Sequence, residues 1–183
     1  AGNLEDQKST SVMIDKTPPQ TMINLSGTQG LAGWYKSDVK VTLEATDPVP
    51  GSGIAKIEYS FDGNSWITYA GFLKITTEGP TTIYYRSADI AGNPGTPQSL
   101  EIWIDKTPPT TTPSLYGTQG YNDWFTSPVC VTLSATDSFS GFAYIQYRID
   151  EGQWTTYTGP FTIQEEGTTT ILYKSVDIAT NVE

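Results

Sequence analysis

Along most of the chain apolar and polar residues alternate one by one, in short runs. Val39, Val41, Leu43 and Ala45 share one parity, and Lys40, Thr42, Glu44 and Thr46 share the other. A period of two sends the first set to one face of a strand and the second to the opposite face, the pattern of an antiparallel sheet with one side buried. Ile57, Tyr59 and Phe61 continue this pattern and are expected to point inward, as are Ile145, Tyr147 and Ile149. Further strands are predicted over 66–69, 81–89 and 99–104. Asp62-Gly63-Asn64-Ser65 has the composition of a hairpin turn. Gly, Pro, Asn and Asp interrupt the runs at close spacing, and no segment carries a helical period.

The pattern occurs twice. Asp15-Lys16-Thr17-Pro18-Pro19 returns as Asp105-Lys106-Thr107-Pro108-Pro109, an offset of 90 residues. At the same offset Gly27-Thr28-Gln29-Gly30 matches Gly117-Thr118-Gln119-Gly120, and Trp34 matches Trp124. Beyond Asp137 the offset falls to 88, so that Ser52-Gly53 matches Ser140-Gly141, Trp66 matches Trp154 and Asp89 matches Asp177. A length change there marks a surface loop. The first copy spans 15–104 and the second 105–183. Residues 1–14 match the last strand of a copy, since Val12-Met13-Ile14 stands where Ile102-Trp103-Ile104 stands 90 residues later. The second copy is accordingly expected to lack its own final strand, leaving a sheet edge open. Two readings follow: a piece of a longer repeat array, or a unit whose Ser11, Val12, Met13 and Ile14 complete the second copy of another molecule.

About seven strands in about 90 residues fit a β-sandwich of immunoglobulin type. The residues themselves resemble a family. Ile14 to Pro19, Gly33-Trp34-Tyr35, Val41 to Asp47, Ser52-Gly53-Ile54, Ile57-Glu58-Tyr59-Ser60, Asp62-Gly63 and Ser87 to Asn93 are similar to the bacterial and archaeal immunoglobulin-like (Big) repeats, close to fibronectin type III modules. The likeness covers nearly the whole chain and departs at Ala179-Thr180-Asn181, where Thr replaces Gly. It implies an all-β fold of two tandem immunoglobulin-like (fibronectin III-like) antiparallel β-sandwiches, joined by a proline-stiffened linker. It also implies a non-catalytic spacer or structural role in an extracellular, cell-surface or secreted protein such as an adhesin, an S-layer protein or a glycosidase. The alternative is a carbohydrate-binding accessory module.

Composition narrows the chemistry. The 183 residues include no histidine, which removes the commonest general base and zinc ligand. Ten Lys and Arg against 20 Asp and Glu give a net charge of −10, unsuited to a nucleic-acid backbone or an anionic membrane. No apolar stretch is long enough for membrane insertion. The expected partners are neighbouring immunoglobulin-like domains or copies of the chain itself, with polysaccharide as the other possibility.

Several residues are candidates for sites. In a sandwich of this type the loops at the pole where the chain enters would gather Asp15, Asp47 and Asp89 in the first copy and Asp105, Asp137 and Asp177 in the second. Converging carboxylates suit Ca²⁺, which takes 6 to 8 oxygens. Each Asp could equally cap a turn through its own backbone, and the DxDxDG spacing of a dedicated calcium loop is absent. Trp103 lies in the parity opposite Ile102 and Ile104, so it is expected to face outward and either stack on a sugar or pack on a neighbour. The matched pairs Trp34/Trp124, Trp66/Trp154, Tyr69/Tyr157 and Tyr85/Tyr173 are expected in the core. Glu165-Glu166 and Asp150-Glu151 read as solvated turns rather than paired catalytic acids. Cys130 reads as an exposed thiol, and Asn24-Leu25-Ser26 as a glycosylation sequon.

Overall fold

The computed structural model describes residue 2 and residues 6–183. In the first copy the strands are β1 (Gln20–Ser26), β2 (Trp34–Tyr35), β3 (Val39–Thr46), β4 (Ile54–Ser60), β5 (Ile67–Thr68), β6 (Leu73–Ile75), β7 (Gly79–Asp89) and β8 (Gln98–Ile104). In the second they are β9 (Thr110–Tyr116), β10 (Val129–Thr136), β11 (Phe142–Ile149), β12 (Thr155–Thr156), β13 (Phe161–Ile163) and β14 (Ile171–Asp177). The fold is all-β. One copy forms sheets β1-β3-β6 and β2-β8-β7-β4-β5, and the other forms β9-β10-β13 and β12-β11-β14. Position for position these are the same two sheets, except that nothing among the described residues stands beside β14 as β8 stands beside β7. Val176 bridges Val182 there, as Ala88 bridges Pro94 in the first copy ahead of β8.

The described residues fall into two compact units interleaved along the chain. One takes 1–24, 42–73 and 82–100, and the other takes 25–41, 74–81 and 101–183.

In the first unit, β7 alternates as expected: Ile83, Tyr85, Ser87 and Asp89 are buried, so the parity that packs apolar side chains also brings a carboxylate to the strand's end. Leu43 of β3 is buried in the same way, while Glu44 is exposed. Strand β4 departs from its pattern. Glu58 and Ser60 are buried, Ile57 and Tyr59 only half-buried, and Phe61 is 47% exposed. Phe61 falls past the end of the strand. Glu58 is enclosed by its partners: Lys56 Nζ donates to it at 2.7 Å and Arg86 Nε at 3.0 Å. The Arg86 guanidinium in turn lies 3.9 Å from the centre of the Trp66 ring. These bonds, the one from Lys56 foremost, hold the Glu58 carboxyl below its usual range. The 62–65 turn is a hairpin, as predicted. Asp62 accepts from the backbone N–H of Asn64 and Ser65 at 2.8 and 2.7 Å, and Gly63 supplies a φ of 74°.

In the second unit, Val39, Val41, Ile75, Ile102 and Ile104 are buried, and Val131, Leu133 and Ile145 form a cluster flanked by Val129, Tyr147, Phe161, Ile163 and Ile171. Ile145 points inward as expected, but Ile149 is 37% exposed, because it closes β11 directly before the left-handed turn residue Asp150. Trp154 is not in the core. It is 39% exposed with Lys174 Nζ 4.5 Å from its ring centre, the counterpart of the Arg86–Trp66 stack. Trp124 is 58% exposed, and of the paired aromatics only Tyr85 is buried, at 6% exposure. Cys130 is half-buried rather than exposed, since it sits on the middle strand of its sheet between Tyr116 and Thr162.

Candidate functional site

The six aspartates meet in two groups of three. Asp15, Asp47 and Asp89 bring one oxygen each to within 4.8 Å of one another, and Asp105, Asp137 and Asp177 do the same. Each position follows from local structure. Asp89 and Asp177 end the inward parity of β7 and β14. Asp47 and Asp137 follow β3 and β10 directly, and Asp15 and Asp105 stand where the chain enters a copy.

The carboxylates cap turns. In the first group Asp15 accepts from the backbone N–H of Thr17 and Ser52, Asp47 from that of Gly53, and Asp89 from Asn93 through both backbone N and Nδ2. In the second, Asp105 accepts from Thr107 and Ser140, Asp137 from Phe139 and Gly141, and Asp177 from Asn181 N and Nδ2. Each group leaves one buried oxygen bare, Asp47 Oδ1 and Asp137 Oδ2. Asn93 and Asn181 also donate to the carbonyls of Asp15 and Asp105, fastening the entering chain to the loop after β7 or β14. The sequence reading passed over these asparagines, although their fixed distance of four residues from Asp89 and Asp177 in both copies was visible.

Bonding and burial pull the two groups apart electrostatically. Hydrogen bonds, chiefly from Ser52, hold the Asp15 carboxyl below its ordinary value. Burial pushes Asp177 up, and the neighbouring charges of Asp105 and Asp137 add to that.

The second feature is the free side of β14. A groove of about 730 Å³ opens at its first residue, Ile171, where Trp124, Phe125, Val129 and Ile163 share the lining with polar residues of the 164–169 loop such as Glu165 and Glu166. Val39, Ile75 and Ile83 of the first copy are at most 4% exposed, whereas their counterparts Val129, Ile163 and Ile171 are all partly exposed. The first copy differs in having β8, whose Ile102 and Ile104 are buried at 1% and 0% exposure. Strand β2 runs parallel to β8, pairing Trp34 with Trp103 and Tyr35 with Ile104.

The segment resembling β8 carries no strand. Of the stretch 1–14, positions 1 and 3–5 lie outside the described residues, and 6–14 are in no sheet. Val12, Met13 and Ile14 are 79%, 97% and 72% exposed, and Ser11 is exposed with them. Trp103 faces outward as its parity requires and is 37% exposed, but the edge of the Trp34 ring packs on it at 5.2 Å between centroids. Asn24 is exposed on β1, where the hydroxyl of Thr42 donates to its carbonyl oxygen.

No family model matches the chain, and no curated protein matches it. Among solved structures, the fibronectin(III)-like modules of CbhA from Clostridium thermocellum are similar at 15% identity, with 88% of this chain and 88% of that chain covered and a TM-score of 0.40. Among the described residues no helix is long and apolar enough to cross a membrane.

Proposed function

We propose that the chain is a non-catalytic structural module of an extracellular repeat protein of the bacterial and archaeal immunoglobulin-like type, and that it assembles head to tail by strand addition. Lys8–Ile14 of one molecule take the place beside β14 of another that Gln98–Ile104 take beside β7. The observation that carries this reading is the groove at the start of β14, where Val129, Ile163 and Ile171 are the partly exposed counterparts of Val39, Ile75 and Ile83, buried in the first copy. The donor has the right parity. Val12 and Ile14 stand at the positions of Ile102 and Ile104, and Met13 stands at the outward position of Trp103. Fully burying two such side chains contributes about 1.5–3 kcal/mol each, and the ladder bonds fix register. The aspartates support a structural role, because all their oxygens except Asp47 Oδ1 and Asp137 Oδ2 accept hydrogen bonds that hold loops and chain entry.

Light scattering over a concentration series tests this. The molar mass is expected to climb from 20.0 kDa with concentration, and deletion of residues 1–14, or Ile14→Asp, should restore the monomer. A constant mass into the hundred-micromolar range would refute it.

A further inference from the structure

Within the second unit the loop 27–34 receives the loop that follows β14. The N–H of Leu31 donates to the carbonyl of Ile178 at 3.1 Å, and Lys36 Nζ donates to that of Thr180 at 3.4 Å. Gly30 makes the approach possible: a Cβ there would lie 2.2 Å from the carbonyl oxygen of Ala179. Ala179 is fully buried as a result. Glu78 completes the contact by accepting from the backbone N–H of Lys106 and from Thr107 Oγ1.

Both halves of this contact occur a second time on the molecule, unengaged with each other. The loop 117–124 has the same backbone course as 27–34. Gly120 N bonds to Trp124 O as Gly30 N bonds to Trp34 O, and Asn122 and Asp123 repeat the positive φ of Ala32 and Gly33. The loop after β7 likewise repeats the one after β14. Ile90 N reaches Gly53 O as Ile178 N reaches Gly141 O, both at 2.9 Å, and Gly92 repeats the positive φ of Thr180. Ile90 is 68% exposed and Ala91 is exposed, where Ala179 is fully covered. Tyr121 is 92% exposed. Glu166 stands at the position of Glu78, and Lys16-Thr17 at that of Lys106-Thr107.

Two complementary patches at different places on one molecule make a heterologous contact, which propagates rather than closes. We infer that the loop 117–124 is a docking surface for the loop 89–93 of a second copy of this chain, with Gly120 against Ala91, the Tyr121 N–H on the Ile90 carbonyl and Glu166 on the Lys16 N–H. This rests on the strand-addition reading and extends it. The donated strand brings Asp15 to the edge of the second copy, and the loop contact then fixes the angle at which the next molecule leaves. Gly120 has no internal need to be glycine of the kind Gly30 has. Its φ lies outside the left-handed region, and an added Cβ would meet only the Thr126 methyl at 3.0 Å and the Trp124 carbonyl oxygen at 3.4 Å.

Gly120→Leu, Ile14→Asp and wild type are compared by sedimentation velocity over a concentration series, with circular dichroism melts of dilute samples as the check on folding. Gly120→Leu is expected to melt within a few degrees of wild type and to need at least tenfold higher concentration to associate. Gly120→Ala should show a smaller shift in the same direction. Association unchanged in Gly120→Leu but lost in Ile14→Asp would overturn the loop contact and leave strand addition standing. A wild type that never associates would overturn both. If Gly120→Leu fails to fold, Tyr121→Pro, which removes the donor N–H from an exposed loop position, replaces it, and undiminished association in that variant would overturn the loop contact.

Discussion

Replacing Asp137 by Asn should stabilise the protein. Oδ1 of Asp137 accepts from the N–H of Phe139 at 3.1 Å and of Gly141 at 2.7 Å, and the amide oxygen of an asparagine can keep both bonds. Oδ2 is buried with no partner, in a group of carboxylates whose oxygens approach within 4.8 Å. An NH₂ in its place supplies two donors within reach of the Asp105 and Asp177 carboxylates. A buried acceptor without a partner costs about 1–3 kcal/mol. A pair of unit charges at that separation adds roughly 3 kcal/mol of repulsion at an effective dielectric of about 20, less what solvent screens. A net gain of about 1–3 kcal/mol is therefore expected at pH 7, or roughly 2–4 °C of melting temperature per kcal/mol for a chain of this size.

The pH dependence gives a second check. Burial, with Asp105 and Asp137 beside it, raises the Asp177 pKa above the ordinary 3.8. The folded state then holds that proton more tightly than the unfolded state, so the contribution of this one group is fully present below the ordinary value and is lost as pH rises through the raised one. Asp137→Asn removes one of the charges responsible, so its advantage should be larger at pH 7 than at pH 3. The assay is urea denaturation in EDTA at both pH values. A loss of 1 kcal/mol or more at pH 7, or a gain equal at both, would refute the argument. A cation seated on the bare oxygen would invert the ranking: millimolar calcium would then raise the melting temperature of wild type and leave that of Asp137→Asn unmoved.

Two further outcomes follow from burial and turn geometry. Ile83→Ala should cost about 2–5 kcal/mol, as for a fully buried side chain, whereas Ile171→Ala in the monomer should cost about half as much because its site is open. Denaturation of dilute samples measures both, and equal losses would contradict the open groove. In the 62–65 turn, hydrogen bonds from the Ser65 and Asn64 backbones and from Ser60 hold the Asp62 carboxyl far below its usual range. These bonds persist above the ordinary carboxylate range and are lost only as pH falls far below it. Asp62→Ala should speed amide exchange at Asn64 and Ser65 at neutral pH, and unchanged protection there would count against the carboxylate as the turn's clamp.

Period-two alternation and turn residues were enough to place strands over 39–46, 81–89 and 99–104, the outward face of Trp103, the 62–65 hairpin and the convergence of two aspartate triads. They sufficed because a strand has only two faces, and the residue that follows an inward parity must also turn inward. What escaped the sequence depends on neighbours it does not order. Lys56 and Arg86 cover Glu58, and cations lie over the Trp66 and Trp154 rings outside the core. Asn93 and Asn181, and the need for Gly30 to be glycine, emerged only when the chain entry and the loops were seen packed together. The repeat itself was legible at once, but whether a repeated loop is covered or bare is decided by which other segment lies against it. That is why Ala179 is fully buried and Ala91, set in a similar local sequence, is exposed.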